Sequence, residues 1–326
     1  MGEFHAIRIH DYGGPEVLRW ERVELDAPGE GEVRLRQGAV GLNFIDVYVR
    51  TGLYPQDGFP ITPGMEGAGE ITEIGPGVTD FSVGDRVAYA GPIGAYGEER
   101  LIAADRLVKL PDAIGYETAA AAMLQGMTAQ FLLRRTYPVG SGTTLLFHAA
   151  AGGVGSIACQ WAAHLGATVI GTVGSEEKAR VAKANGCAFA INYAREDFVA
   201  RVREITGGTG VDVVYDSIGQ ATFPASLDCL KPMGLWVSFG QASGALPQMH
   251  MSILAQKGSL FATRPMLFDY IAERSDLEAT AAELFEAIAA GHVKIAVNQT
   301  YPLREAAQAH RDLEARKTTG STVLLP

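Results

Sequence analysis

Cysteine is scarce in this sequence: Cys159, Cys187 and Cys229 stand far apart, none forms a C-x-x-C pair, and any single disulfide leaves one thiol over. That pattern excludes a disulfide-stapled scaffold and points to a reducing compartment, the cytoplasm. Positive charge is short as well, with Lys+Arg 27 against Asp+Glu 37 and a formal net charge of −10. A duplex-binding surface needs many phosphate-neutralising cations, so nucleic acid is not an expected partner beyond a local basic patch. Long apolar runs are also missing: none approaches the ~20 residues needed to span a bilayer. The opening stretch MGEFHAIRIHDYGG has neither a basic region before an apolar run nor an Arg/Ser-rich transit pattern, so neither an export signal nor a membrane partner is expected.

What the chain has is an ordinary globular balance, 47% hydrophobic and 20% charged over 326 residues. This length fits about two domains of ~100–200 residues each. Glycine is plentiful, at 39 residues. Its placement carries the information, because glycine serves tight turns and close backbone approach.

Up to about residue 125, short β-rich runs such as AIRIHDY, EVRLRQGAV, GAGEITEIG and DRVAYA are separated by glycine and proline turns, which predicts a compact, barrel-like β unit. From about 143 to 264, apolar strand candidates alternate with helical segments: TTLLFHA, ATVIGTV, CAFAINY, VDVVYDSI, GLWVSFG and GSLFAT. Near-continuous apolar strands separated by helices imply a parallel sheet covered on both faces. After the first strand, Val154, Ile157, Ala158, Trp161, Ala162 and Leu165 share one helical face, and Gly166 offers the stop. Beyond 265 come two helical segments and a last short strand, STVLLP. This tail is too small for a separate domain and is expected to rejoin the N-terminal unit.

Between the first parallel strand and its helix lies Phe147-His-Ala-Ala-Ala-Gly-Gly-Val-Gly155. It fits the dinucleotide fingerprint at Gly152 and Gly155, with Ala150 in place of the first glycine. Small residues let the backbone approach a pyrophosphate, and the helix N-terminus offers unpaired N–H groups and partial positive charge. After the second strand, an NAD-preferring site would place Asp or Glu against the ribose hydroxyls. Here the chain reads Gly174-Ser175-Glu176-Glu177-Lys178. Ser175 can cap the next helix, and the glutamates suit its positive end. Lys178 opposes the helix dipole unless an anion is present, and a 2′-phosphate would supply one. A solvated lysine beside two glutamates is the competing reading. Tyr193 could contact the same phosphate, so NADPH is the expected cofactor.

Two further segments, Gly41-Leu-Asn-Phe-Ile-Asp-Val-Tyr48 and Gly64-Met-Glu-Gly-Ala-Gly69, together with AAAGGVG, resemble the medium-chain dehydrogenase/reductase superfamily. Its zinc-dependent members carry Cys-x-x-Asp and Gly-His-Glu in these segments. Here Asn43 and Met65 replace the cysteine and histidine, and Leu124-Gln125, near the third ligand position, offers no thiol. With a tetrahedral zinc ligand set missing, no metal is expected. The four-cysteine zinc lobe of the superfamily is missing too.

The resemblance narrows to zinc-free NADPH:quinone oxidoreductases of the zeta-crystallin type. It runs nearly end to end through NFIDVYVRTGLYP, LLFHAAAGGVGSIACQWA, IGTVGSEEKA, INY, VVYDSIG, SLDCLKPMGLWVSFG and QKGSLFATRP. It implies an α/β protein with a GroES-like β-rich catalytic domain (1–126 and 265–326) and a Rossmann NADPH-binding domain (127–264) built on a six-stranded parallel sheet. It further implies cofactor contacts from Asn43, Phe44, Ile45, Asp46, Tyr48, Thr128, Gly152, Gly153, Val154, Gly155, Gly174, Ser175, Lys178, Tyr193, Ser217, Phe239, Gly240, Phe261, Thr263 and Arg316.

Without zinc, the expected reaction is direct hydride transfer from nicotinamide to an electron-poor acceptor such as a quinone. Asn43, Tyr48 and Tyr54 are the candidate catalytic residues, as hydrogen-bond donors and flat surfaces that orient the acceptor. An enoyl or 2-alkenal reductase would share the cofactor and add a dedicated proton donor. Relatives of this type also serve as crystallins or bind RNA, a reading that the net charge disfavours. The strand candidate 258–263 falls last in the sheet, and the resemblance implies a homodimer through this edge.

Overall fold

The computed structural model describes residues 4–326, so the first three residues of the opening stretch lie outside the described residues. No helix among the described residues is long and apolar enough to cross a membrane. Two compact units share the chain. The first takes the described residues up to Met127 together with Ile271–Ala289 and Ile295–Pro326, and the second takes Thr128–Tyr270 and Ala290–Lys294.

The first unit is built on a seven-stranded sheet. Its neighbours run Val297–Pro302, Ser321–Leu325, Glu32–Leu42, Glu66–Ile74, Arg86–Ala90 and Val108–Lys109, with Glu99–Ala103 pairing to Glu32–Leu42. The long strand Glu32–Leu42 shows why this sequence is β. Val33, Leu35 and Gln37 turn inward while Arg34 and Arg36 turn outward, the period of two that a pleated strand imposes. The outward arginines meet carboxylates on both neighbouring strands, Arg34 with Glu73 at 3.2 Å and Glu99 at 3.4 Å, and Arg36 with Glu70 at 3.2 Å. Inside, Leu35, Ile71, Val87, Tyr89, Tyr96, Leu107 and Leu324 belong to one core. The strand ends at Leu42, and after Asn43 the chain turns into the short helix Phe44–Arg50.

In the second unit the spatial order is Phe189–Asn192, Thr168–Val173, Thr144–Phe147, Val211–Asp216, Leu230–Ser238 and Phe261–Thr263. Every pairing is parallel. In chain order this is 3-2-1-4-5-6, a doubly wound sheet whose direction of build reverses between Thr144–Phe147 and Val211–Asp216. Leu145, Leu146, Val213, Val214 and Tyr215 are fully buried, as a sheet covered on both faces demands. The crossover helix Gly153–His164 buries Ile157, Ala158, Trp161 and Ala162, and Gly166, at φ +87°, ends it.

The tail divides differently from the expected boundaries at 126 and 265. Residues 265–270 stay with the parallel-sheet unit, because Tyr270 stacks on Phe131 with ring centroids 4.4 Å apart and its phenol meets the Thr136 hydroxyl at 3.1 Å. Residues 290–294 do likewise, where His292 stacks on His164 at 3.6 Å. Strand Ser321–Leu325 pairs with Glu32–Leu42 in the first unit.

Helix Phe44–Arg50 is fixed to the C-terminal helix Ala306–Glu314 by an ion pair. Arg50 is 1% exposed, and its guanidinium makes two hydrogen bonds to Glu314, at 2.8 and 2.9 Å, and one to the Gly13 carbonyl. Removing one partner of a buried pair leaves an uncompensated charge. Glu314 is partly exposed, so Glu314→Ala should destabilise the protein by about 1–3 kcal/mol. The expected observation is a lower urea midpoint, and an unchanged midpoint would remove this pair as a structural tie.

Candidate active site

In the second unit, the loop after strand Thr144–Phe147 turns at Ala149, φ +55°, and enters the helix at Gly152. A Cβ on Gly155 would lie 2.3 Å from the Ala149 carbonyl oxygen and 2.8 Å from Ala150 Cα, both backbone atoms that cannot move aside. Gly153, Val154 and Gly155 form the first turn, which carries no acidic side chain. This is a cradle of bare backbone N–H groups at the positive end of a twelve-residue helix, at the carboxyl end of the sheet and beside its reversal point.

The neighbouring loop behaves as its sequence predicts. Ser175 caps helix Glu176–Ala184, its hydroxyl accepting from the Lys178 N–H at 3.2 Å, with Lys178 half-buried in the first turn. Tyr193 closes over Gly174, where an added Cβ would stand 2.8 Å from the phenol oxygen. Ser217 and Gly240 pack together at the ends of two adjacent strands, and Phe239 meets Phe147 at 5.7 Å. Thr128 lies buried on helix Met123–Phe131, and Phe261 and Thr263 lie on the edge strand.

A polar cluster beneath this loop escaped the sequence reading. Asp216 accepts from the Ile218 and Gly219 N–H groups, Thr222 and Ser226, while Ser226 also meets His148 Nε2 at 3.0 Å and His148 Nδ1 meets Thr172 at 2.8 Å. Burial lowers the His148 pKa. The cluster holds the turn that carries Ser217.

The first unit gathers Asn43, Phe44, Ile45, Asp46, Tyr48 and Tyr54 around helix Phe44–Arg50. Tyr48 and Tyr54 meet edge to face at 5.2 Å, and Phe44 lies 6.3 Å from Tyr48. Arg316 stands just past helix Ala306–Glu314, at φ +58°. Asp46 is turned fully inward: its Oδ2 accepts from the Asn43 N–H at 2.8 Å and from the Tyr96 hydroxyl at 3.0 Å, while Oδ1 is buried without a partner. Tyr96 meets His310 Nε2 at 3.1 Å, and His310 Nδ1 faces Arg50 at 3.1 Å. A guanidinium only donates, so Nδ1 accepts and Nε2–H donates to Tyr96.

The Asn43 amide is held at both ends. Its Nδ2 donates to Glu66 Oε1 at 2.5 Å, its Oδ1 accepts from Gln125 Nε2 at 3.0 Å, and Gln125 Oε1 accepts from Ser321 at 2.7 Å. Glu66 Oε2 accepts the Leu124 N–H at 2.7 Å. Glu66, Gln125, Tyr96, His310 and Ser321 were not predicted as site residues. Glu66 and Gln125 lay within the quoted motifs, but the partnership of Ser321 with Gln125 spans 196 positions and leaves no local signal.

Residues 153–286 match the family described as zinc-binding dehydrogenase, and residues 29–112 the alcohol dehydrogenase GroES-like domain. A quinone oxidoreductase of Pseudomonas aeruginosa is 54% identical over 321 residues, covering 98% of this chain and 99% of that protein. The chain belongs to the quinone oxidoreductase family. The solved quinone oxidoreductase of Escherichia coli, complexed with NADPH, is 48% identical with a TM-score of 0.96, covering 99% of this chain and all of that one. A 2-haloacrylate reductase from a Burkholderia species is 50% identical, with 98% of each chain covered.

The zinc implied by the first family description does not fit this quinone oxidoreductase family member. Asn43 and Gln125 present neutral amides, Met65 a thioether, and both oxygens of Glu66 already accept from protein donors. Among the described residues, no group of three or more His, Cys, Asp or Glu could hold a metal. A dinucleotide does fit the second unit, where the helix start at Gly153–Gly155 carries no acidic side chain and packs closely on the loop before it.

Burial raises the Asp46 pKa to about 7 and that of Glu66 to about 8, against their hydrogen bonds. Burial, reinforced by Arg50, holds His310 down at about 3. Carboxyls with raised folded values bind more protons when folded, so their contribution to stability is lost as pH rises through those values. A histidine held below its ordinary 6.5 acts oppositely, costing stability as pH falls below 6.5. Between about pH 6.5 and 8 only the carboxyls act. Stability in urea should fall across that window, and Glu66→Gln should flatten the fall; an equal slope in the variant would exclude Glu66 as a cause.

Proposed function

We propose that this protein reduces quinones with NADPH by direct transfer of hydride to the acceptor, without zinc. The observation that carries this reading is the pairing of an intact dinucleotide loop with an acceptor-side region where amides occupy the positions of metal ligands. The near-full-length similarity to quinone oxidoreductases supports it. When bound, NADPH supplies the hydride; the protein supplies binding, orientation and hydrogen bonds. Gly152, Gly153, Val154 and Gly155 would take the pyrophosphate on the helix N-terminus. Lys178 would take the 2′-phosphate, with Ser175 and Tyr193 of the same unit beside it. Asn43 would donate to the acceptor oxygen as negative charge develops there, and the Tyr48 and Tyr54 rings would hold a flat acceptor.

A second reading, reduction of an electron-poor alkene, is favoured by the 50% identity to a 2-haloacrylate reductase. There a proton must also be delivered to carbon. The deciding experiment follows nicotinamide absorbance with NADPH and NADH, each against 1,4-benzoquinone and a conjugated enone. Quinone turnover with NADPH should dominate. Lys178→Ala should raise KM for NADPH about tenfold with little effect on NADH, the loss expected for one charge-assisted phosphate contact. Equal loss with both cofactors would overturn the 2′-phosphate assignment.

The protein is further proposed to be a homodimer. Strand Phe261–Thr263 is the edge of the parallel sheet and Phe261 is 62% exposed, an apolar edge that calls for cover. Sedimentation at micromolar concentration should give twice the chain mass, and a monomer would refute the assignment. Three buried, unpaired cysteines suit a cytoplasmic protein.

A further inference from the structure

The hydrogen bonds around Asn43 have a direction. A carboxylate can only accept, so the Asn43 Nδ2 must face Glu66 and its Oδ1 must face Gln125. Gln125 is then obliged to present Nε2 to Asn43 and Oε1 to Ser321, which donates. All four side chains are buried, so a wrong choice would leave a buried polar group unmatched.

The same four side chains have a second arrangement in which each still finds a partner along the row. Ser321 Oγ lies 2.7 Å from Gln125 Oε1 and also 3.1 Å from the Ala121 carbonyl oxygen. If Glu66 carries a proton it can donate to Asn43, whose amide then turns over and donates to Gln125. Gln125 turns in its place and donates to Ser321, and Ser321 donates to Ala121. The Leu124 N–H bond to Glu66 Oε2 survives in both arrangements. Intermediate arrangements leave two donors or two acceptors facing each other, so the row changes as a unit.

We propose that Gln125 and Ser321 are positioning residues of the active site: they hold the Asn43 amide in one of two orientations, and the Glu66 carboxyl selects which. With Glu66 ionised, the unused Asn43 valence on the Glu66 side is an N–H; with Glu66 protonated, the two ends exchange. This rests on the reading of Asn43 as a residue that meets the acceptor. The charges bearing on Glu66 are Asp46 and Tyr96, with His310 and Arg50 behind Tyr96. The raised Glu66 pKa, about 8, puts both arrangements within reach near neutrality.

The test uses the full-length protein with NADPH and 1,4-benzoquinone between pH 6 and 9, comparing kcat and KM for wild type, Asn43→Ala, Gln125→Leu, Gln125→Glu, Ser321→Ala and the Asn43→Ala/Gln125→Leu double variant. Gln125→Leu should lower kcat about tenfold, the loss of one buried hydrogen bond, with KM for NADPH unchanged. Ser321→Ala should act in the same direction, less strongly. If Gln125 acts through Asn43, the double variant is no worse than Asn43→Ala alone. Gln125→Glu keeps the size of the side chain but sets a carboxyl on each side of one amide. That amide has one donor end and one acceptor end, so it serves both carboxyls only while one is protonated. The kcat of Gln125→Glu should therefore fall with rising pH, a fall absent from the wild type, where ionised Glu66 and Gln125 together satisfy the Asn43 amide. Additive losses in the double variant, or one pH profile shared by Gln125→Leu and Gln125→Glu, would overturn the positioning role while leaving Asn43 in place. Full activity in Asn43→Ala would overturn the reading of Asn43 itself, and the positioning role with it.

Discussion

A buried carboxyl group with no cation beside it must be answered by hydrogen-bond donors, and in the first unit this obligation organises everything near Asn43. Glu66 lies at the start of strand Glu66–Ile74 and reaches the N-terminal end of helix Met123–Phe131, where the Leu124 N–H would otherwise lack an intrahelical partner. Its second oxygen requires a donor, Asn43 supplies it, and Gln125 and Ser321 follow in turn. One desolvated carboxyl group thereby ties together two strands, a helix start and the tail of the chain. Gly41 shows how tight the arrangement is: an added Cβ there would stand 2.4 Å from Glu66 Oε1.

The parallel-sheet unit was largely legible in the sequence because its signals are local. Apolar strands, a counted helical face, a glycine loop and a capping serine each lie within a dozen residues, and each is found where it was read. Boundaries were less legible. Strand candidate 258–263 shortens to Phe261–Thr263, since Gly258 and Ser259 both adopt positive φ and turn the chain before the strand begins. Residues 290–294 join the second unit through a histidine stack and two hydrogen bonds between Gln160 and Lys294, ties that no periodicity announces. The first unit's polar network was the least legible. Glu66 and Gln125 were noticed for the ligands they fail to provide, and their positive role emerged only when the fold brought Ser321 and Leu124 beside them.

The two units therefore answer the same problem of buried polarity differently. The second meets it with the buried Asp216 cluster, in which one carboxylate collects donors from its own turn and from Thr222 and Ser226. The first uses side-chain amides, which can exchange donor for acceptor without moving a heavy atom far. In a family described by its zinc chemistry, this chain sets neutral amides around a carboxyl group whose two oxygens are both bonded to protein donors.

The guanidinium of Arg50 has a further consequence. The row His310, Tyr96, Asp46 has the spacing of a proton wire, yet its far end is blocked: Arg50 cannot surrender a proton, and it occupies the only lone pair through which His310 could receive one. The wire is insulated at that terminal. At the near end Asp46 keeps Oδ1 buried and unbonded, so the row is closed at both ends.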